Sequence, residues 1–107
     1  MTTLERTMTF GEHLRILREN AGLTLKDVAA KISIDISFLA KIERNKRQPT
    51  KQIIKQVSAF FGVNEKDLQI EFLSYQIAYK ILDEEADLKI LKVAEKKVSY
   101  LKTLRDV

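Results

Sequence analysis

The chain has 107 residues, no cysteine and one histidine, so a Cys/His zinc site, a disulfide scaffold and a thiol nucleophile are excluded. Its length suits one domain, or one small domain with an extension. No run of about 18 apolar residues is present to span a bilayer, and the first residues lack the apolar region of a signal peptide. We therefore expect a soluble protein that stays in the cytoplasm.

The positive charge is concentrated in the first part of the chain. Lysine and arginine number 19 against 15 aspartate and glutamate residues, and the whole net charge of +4 lies in residues 1–68. From Lys41 to Lys55 there are six basic residues and one acidic residue. Such a local field suits a polyanion, although a basic segment by itself is more often only a solvated surface.

Apolar residues recur every three or four positions, and the chain has only three glycines and one proline, which predicts an all-helical protein. The first helix is predicted to begin after Thr9, its N-cap, and to end between Asn20 and Gly22. Its apolar face consists of Phe10, Leu14, Leu17 and Ala21. His13 has no second histidine, cysteine or paired carboxylate near it in the sequence, and we expect it to be exposed.

Two short helices are predicted next. In LTLKDVAAKI, Thr24 caps the start and Asp27 stands three residues later as its acidic partner. The chain turns at Ser33 and Ile34, and Asp35 can then cap a third helix. The inward face of the third helix is formed by Leu39 and Ile42.

Two further helices complete the first part of the chain. Asn45 is expected in the left-handed conformation that ends the third helix. The only proline, Pro49, precedes a fourth helix that starts after Thr50 and ends at Gly62. Asn64 is expected to cap a fifth helix.

From Leu68 onward each helical segment carries two apolar stripes rather than one. The acidic stretch DEEAD separates the two segments, and we attribute its carboxylates to helix capping rather than to a cation site. We favour a hairpin bent at this stretch, with Asp87 capping its second arm, but a single long helix is also compatible with the lack of glycine and proline. The predicted domains are residues 1–68 and an extension, residues 69–107.

One apolar stripe of the extension can cover the first domain, and the other needs a further partner, most simply a second copy of the chain. Tyrosines at helical spacing are more often part of such an interface than of a ligand pocket. The residues predicted to form the dimer interface are Phe72, Tyr75, Tyr79, Leu82, Leu91, Val98 and Leu101.

The segment GLTLKDVAAKI-SIDISFLAKIERNKRQPT contains two short helices joined by a tight turn, with a basic loop after the second, which is the pattern of a helix-turn-helix. It resembles the helix-turn-helix of the phage-repressor and Cro-like family, also called the XRE family, and KIERNKRQPT is the most diagnostic part. The resemblance covers roughly residues 10–68. It implies a five-helix lambda-repressor-like DNA-binding domain.

The resemblance also assigns functions to individual residues. A recognition helix buries one face and presents the other to base edges in a major groove about 12 Å wide. The base-contacting positions of the family match Ile36, Ser37, Ala40 and Lys41. Phosphate contacts are expected from Thr24, Arg44, Asn45, Lys46, Arg47 and Thr50. An arginine of the first helix pairs with the glutamate of the IER motif in the family, and the matching residues here are Arg18 and Glu43.

Three positions depart from the family pattern. The glutamine that usually opens the second helix, and that contacts the DNA backbone, is Leu25 here. The glycine of the turn is Ser33, which is tolerable if its backbone is not forced to positive φ. The glycine of the loop is Asn45, one of the less costly substitutes for glycine at positive φ. We expect these changes to alter sequence preference rather than the fold.

These observations predict a transcriptional regulator, a repressor or autoregulator, that binds a palindromic double-stranded DNA operator as a homodimer. Family resemblance allows three settings: a phage or mobile-element repressor, a restriction-modification controller, or an antitoxin. The alternative of another class is a protein-interaction module that binds a heterologous partner through its C-terminal helices. No catalytic triad or Gly-rich phosphate loop is present, so we expect no enzyme, no cofactor and no metal.

Overall fold

The computed structural model describes residues 8–105, and within that range it contains six helices and no strand, which confirms the all-helical class. The first seven residues and the last two, which belong to the predicted domains 1–68 and 69–107, lie outside the described residues. The helices are α1 (Phe10–Asn20), α2 (Leu25–Lys31), α3 (Ile36–Glu43), α4 (Lys51–Phe61), α5 (Glu65–Asp83) and α6 (Lys89–Arg105).

The starts of the first three helices are set by the capping residues that the sequence predicted. Thr9 and Thr24 each form a capping box, with Glu12 and Asp27 respectively. Asp35 accepts the backbone N–H groups of the first turn of α3. Each cap satisfies backbone donors that have no partner inside the helix and is worth about 1 kcal/mol.

Helices α1 to α5 enclose one hydrophobic core. Each contributes at least one buried apolar residue, and burying a Leu, Ile or Val side chain stabilises the fold by about 1.5–3 kcal/mol. The core residues are Phe10, Leu14, Val28, Ala29, Ile32, Leu39, Ile42, Ile53, Ile54, Val57 and Leu68.

Several turns in this region have a left-handed backbone, and two of them show what this conformation requires. Gly62 ends α4 with φ 67°, where the absence of a Cβ removes the steric penalty. The turn between α2 and α3 is different, because Ser33 has φ 56°. A serine is expected to be tolerable here only if its backbone is not at positive φ, and the structure does not meet that condition. The left-handed conformation of Ser33 costs about 1–2 kcal/mol.

The chain divides into two compact units, one that ends at Tyr75 and one that begins at Gln76, so that α5 contributes to both. The division after Leu68 into a DNA-binding domain and a dimerisation extension remains a prediction. Between α5 and α6 the backbone of Glu85 turns with φ 51°, and the N–H of Lys89 donates to Asp87 Oδ1 at 2.8 Å. The extension therefore contains two helices rather than one, and the predicted cap at Asp87 is confirmed.

Helix α6 contains no buried residue. Its apolar side chains are between 45% and 63% exposed, and they are Ile90, Leu91, Val93, Val98, Tyr100, Leu101 and Leu104. Among the described residues, no helix combines the length and apolar character needed to cross a membrane.

Candidate nucleic-acid interface

Helix α3 has one face inside the core and one face in solvent. Leu39 and Ile42 are fully buried, whereas Ile36 is 44% exposed. Ser37 and Lys41 are also exposed, and Ala40 is half-buried. The four positions predicted to contact bases therefore follow one another along the accessible side of α3, with only Ala40 partly covered.

An ion pair connects α3 to α1. Arg18 Nε donates to Glu43 Oε2 at 2.7 Å and Arg18 Nη2 donates to Glu43 Oε1 at 2.9 Å. Arg18 Nη1 donates to the carbonyl oxygen of Leu23 at 3.0 Å. The hydrogen bond with Glu43 raises the pKa of the Arg18 guanidinium above its ordinary value, against the opposing effect of burial. The structure thus brings together the two residues assigned to a structural pair.

A second contact between α1 and α3 involves no side chain on α1. A Cβ added to Gly11 would lie 2.1 Å from the carbonyl oxygen of Ile42, 2.9 Å from Asn45 Oδ1 and 3.0 Å from the carbonyl oxygen of Glu43. Only glycine lets the backbone of α1 approach the end of α3 so closely. Sequence analysis did not identify this role, because Gly11 lies in a regular helix and gives no turn signal.

The segment after α3 forms a tight C-terminal turn. Asn45 has φ 62°, as predicted, and its N–H donates to the carbonyl oxygen of Ile42 at 3.0 Å. The N–H of Lys46 donates to the carbonyl oxygen of Lys41 at 2.8 Å. The side chains of Arg44, Asn45, Lys46 and Arg47 are all exposed.

The two threonines predicted to contact phosphate stand at helix N-termini and are exposed. Thr24 Oγ1 accepts the N–H of Asp27 at 3.1 Å, and Thr50 Oγ1 accepts the N–H of Ile53 at 3.1 Å. Their hydroxyl groups are therefore already used as N-caps. The positive end of each helix dipole remains beside them, which favours an anion at that position.

The sequence-based interpretation of His13 is wrong. His13 is 7% exposed, and its Nδ1 lies 2.8 Å from Oε1 of Glu71 in α5, which is also buried. The other carboxylate oxygen, Oε2, is buried without a hydrogen-bond partner among the described residues. His13 stands three positions after Phe10 on the inward side of α1, a signal that would have predicted burial. Its partner lies 58 residues away, and no local spacing indicates it.

The residues predicted for a dimer interface lie in different surroundings. Phe72 packs against the core, and its ring makes an edge contact with Phe10 at a centroid distance of 6.3 Å. Tyr75 is half-buried in the first unit. Phe72 therefore packs against the core from α5. Helical spacing alone does not distinguish such a core residue from a residue of an interface. The remaining predicted positions are exposed: Tyr79, Leu82, Leu91, Val98 and Leu101.

Comparison with known families assigns the class of the protein. The helix-turn-helix family model matches residues 14–68, which is more than half of the chain. The chain therefore belongs to the helix-turn-helix family, of the XRE type that KIERNKRQPT indicates.

One relative shows the similarity in sequence. An HTH-type transcriptional regulator of Deinococcus deserti, DdrOP3, is 32% identical over 83 residues, and the match covers 76% of this chain and 64% of the relative. The chain thus spans just under two thirds of that protein's length.

The fold is also similar to two solved structures. The clp gene regulator ClgR from Corynebacterium glutamicum has a TM-score of 0.54 with 22% identity, over 91% of this chain and 95% of that chain. The SinR protein/SinI protein complex has a TM-score of 0.52 with 20% identity, over 89% of this chain and 99% of that chain. At these identities the likeness concerns the fold alone.

Proposed function

We propose that this protein is a cytoplasmic transcriptional regulator, a repressor or autoregulator, that binds double-stranded DNA sequence-specifically as a homodimer. The observation that carries the proposal is the exposed side of α3, followed without interruption by four exposed residues of which three are basic. A helix of this kind fits the major groove, and the loop after it lies where the DNA backbone passes. Membership of a family of transcription regulators supports the same conclusion.

In this proposal four residues of α3 contact base edges. Lys41 donates to N7 or O6 of guanine, Ser37 donates or accepts a hydrogen bond, and Ile36 packs against the methyl group of thymine. Ala40 leaves room for the bases. Because Lys41 is the only charged residue among the four, thymine-methyl contacts and DNA shape contribute a large share of the specificity.

Phosphates are bound by the residues around this helix. Arg44, Lys46 and Arg47 supply positive charge, and Asn45 supplies an amide. Thr24 and Thr50 mark the N-termini of α2 and α4, where backbone N–H groups and the helix dipole favour an anion. These contacts set the position of the protein on the duplex and carry no sequence information themselves.

The homodimer is formed through the C-terminal helices. The support is the exposure of the apolar side chains of α6 along its whole length, which is unusual for a protein that stays monomeric. Two copies then present their recognition helices to half-sites about 34 Å apart on a palindromic operator. The contact residues in the proposal are Tyr79, Leu82, Leu91, Val98 and Leu101.

Selection of bound sequences from random duplex DNA tests the proposal, combined with light scattering on the same protein. We expect a palindromic motif with half-sites one helical turn apart, and a dimer in solution. Leu101→Glu should produce a monomer that binds the operator more weakly, whereas Lys66→Gln, a change on exposed α5 surface, should leave the dimer intact. A motif without symmetry, or no enrichment at all, would contradict the proposal.

A heterologous partner is the second candidate, because the same exposed apolar surface of α6 fits another protein equally well. The fold neighbour SinR is found in a complex with the SinI protein. A monomer in light scattering, with the apolar surface of α6 still required in vivo, would favour this candidate. Restriction-modification control and antitoxin activity use the same DNA chemistry and differ in the genes they regulate.

A further inference from the structure

A groove of about 350 Å³ lies between the first three helices, beside the proposed base-contacting surface. Its lining residues are Arg15, Arg18, Leu25, Ala40, Glu43 and Arg44. Two of them, Ala40 and Arg44, belong to the proposed DNA-contacting set. Arg15 and Leu25 have no role in that set, and the groove places them next to it.

The lining of the groove is positively charged. It contains three arginines against one glutamate. Glu43 is engaged by Arg18, which also donates to the carbonyl oxygen of Leu23, so this pair is neutral and occupied. The charge left to attract a ligand therefore comes from Arg15 and Arg44.

Both of these arginines are accessible to a ligand. The side chain of Arg15 is 61% exposed, and its Nε forms a 3.3 Å ion pair with the exposed carboxylate of Glu19. An exposed pair of this kind contributes little, so a phosphate displaces it at small cost. Arg44 is exposed as well, and its Nε donates to the carbonyl oxygen of Ala40 at 3.4 Å.

The rest of the lining is apolar. Leu25 stands at the first position of α2, and Ala40 has only a methyl group. An apolar lining beside two guanidinium groups matches a sugar-phosphate unit, because the deoxyribose carbons need apolar contact and the phosphate needs cationic donors. A free inorganic anion would use the arginines but not the apolar lining.

We infer that this groove binds one sugar-phosphate unit of the operator backbone, with Arg15 and Arg44 on the phosphate and Leu25 and Ala40 against the sugar. The inference rests on the proposed function and adds Arg15 and Leu25 to the DNA interface. Arg15 is the residue of α1 that makes this contact possible.

The test uses the full chain and the duplex that it selects from random DNA. Arg15→Gln should weaken binding to the operator and to unrelated duplex to similar extents, and the slope of log K against log salt should fall by about one. Arg15→Lys should retain most of the slope, since the charge is preserved. Lys66→Gln removes one exposed charge outside the groove and should leave the slope near that of the unaltered protein.

Neutral methylphosphonate substitutions, made one at a time along the operator, then locate the contact. One position should weaken binding of the unaltered protein strongly and that of Arg15→Gln much less, because only Arg44 then still contacts the phosphate at that position. If Arg15→Gln behaves like Lys66→Gln, or if every methylphosphonate affects both proteins equally, the inference is wrong. In that case the proposed function would still stand if Arg47→Ala weakened binding to all duplexes and Lys41→Ala changed the preference between sequences. If the protein selected no sequence at all, both the inference and the proposed function would be wrong.

Discussion

Arg18 of α1 holds Glu43 of α3 through two hydrogen bonds of 2.7 and 2.9 Å, across 25 positions of the sequence. The side chain of Glu43 is 5% exposed, and the pair connects α1 directly to the last turn of α3. The position of α3 relative to the core therefore depends on a charged pair as well as on apolar packing.

Arg18→Met should destabilise the protein by about 3–5 kcal/mol, because it leaves the carboxylate of Glu43 buried without its cation. Urea denaturation followed by circular dichroism measures the loss. The matched control is Lys80→Met, which removes the lysine of an exposed pair with Glu84 and should change stability by about 0.5 kcal/mol or less. Equal effects of the two substitutions would show that the Arg18 pair is no stronger than a surface pair.

Asp27 contributes stability that depends on acid pH. Hydrogen bonds from the backbone N–H and the hydroxyl of Thr24 hold the pKa of Asp27 below its ordinary value of 3.8. Since the folded state lowers this pKa, the contribution is complete above the unfolded pKa and disappears as pH falls through the folded one. The unaltered protein should therefore lose stability more steeply than Asp27→Asn between about pH 5 and pH 2. Urea midpoints measured across that range check the difference, and parallel curves would contradict it.

Gly11→Ala should displace the end of α3, because the new methyl group would meet the carbonyl oxygen of Ile42 at 2.1 Å. We expect a loss of about 1–3 kcal/mol in stability from overpacking, together with weaker operator binding. Gly22→Ala is the control, since a Cβ there meets nothing within 4 Å although φ is +69°.

Gly22→Ala should also lose stability, by about 1–2 kcal/mol, because of its positive φ. In the folded state it should bind the operator as tightly as the unaltered protein does. Amide chemical shifts of the last turn of α3 separate the two effects, because only Gly11→Ala should move them. Unchanged shifts in Gly11→Ala would mean that α1 can move away without affecting α3.

The buried contact between His13 and Glu71 connects α1 to α5. His13→Leu should cost about 1–3 kcal/mol, because it removes the hydrogen-bond partner of a buried carboxylate whose other oxygen has no partner among the described residues. The double substitution His13→Leu with Glu71→Leu should recover much of that loss, since both polar groups are then absent. Thermal denaturation of the single and double variants gives the coupling, and additive losses would contradict it.

Sequence patterns predicted the features of this protein that depend on near neighbours. The caps at Thr9, Thr24 and Asp35 act over two or three residues, so the residue types and their spacing are sufficient to locate them. The left-handed residue Asn45 follows from the same local logic.

The features that were missed depend on distant parts of the chain. The partner of His13 lies 58 residues away, and the carbonyl group that excludes a side chain at Gly11 belongs to another helix. Phe72 has the same helical spacing as a residue of an apolar interface, and only its contact with Phe10 reveals that it belongs to the core. Such contacts follow from how the helices pack, which periodicity alone does not determine.

Lys41 and Arg47 should differ in how they affect DNA binding, although both are exposed basic residues separated by six positions. In the proposed interface Arg47 contacts a phosphate, so Arg47→Ala should weaken binding to every duplex similarly and make the salt dependence shallower by about one unit of slope. Lys41 contacts a base in the same proposal, so Lys41→Ala should change the preference between operators by about 1–3 kcal/mol at one base pair. Binding titrations against the selected operator and single-base variants at several salt concentrations measure both quantities. If both variants lost affinity uniformly across all sequences, Lys41 would be a phosphate contact and the sequence preference would have to come from Ile36, Ser37 and DNA shape.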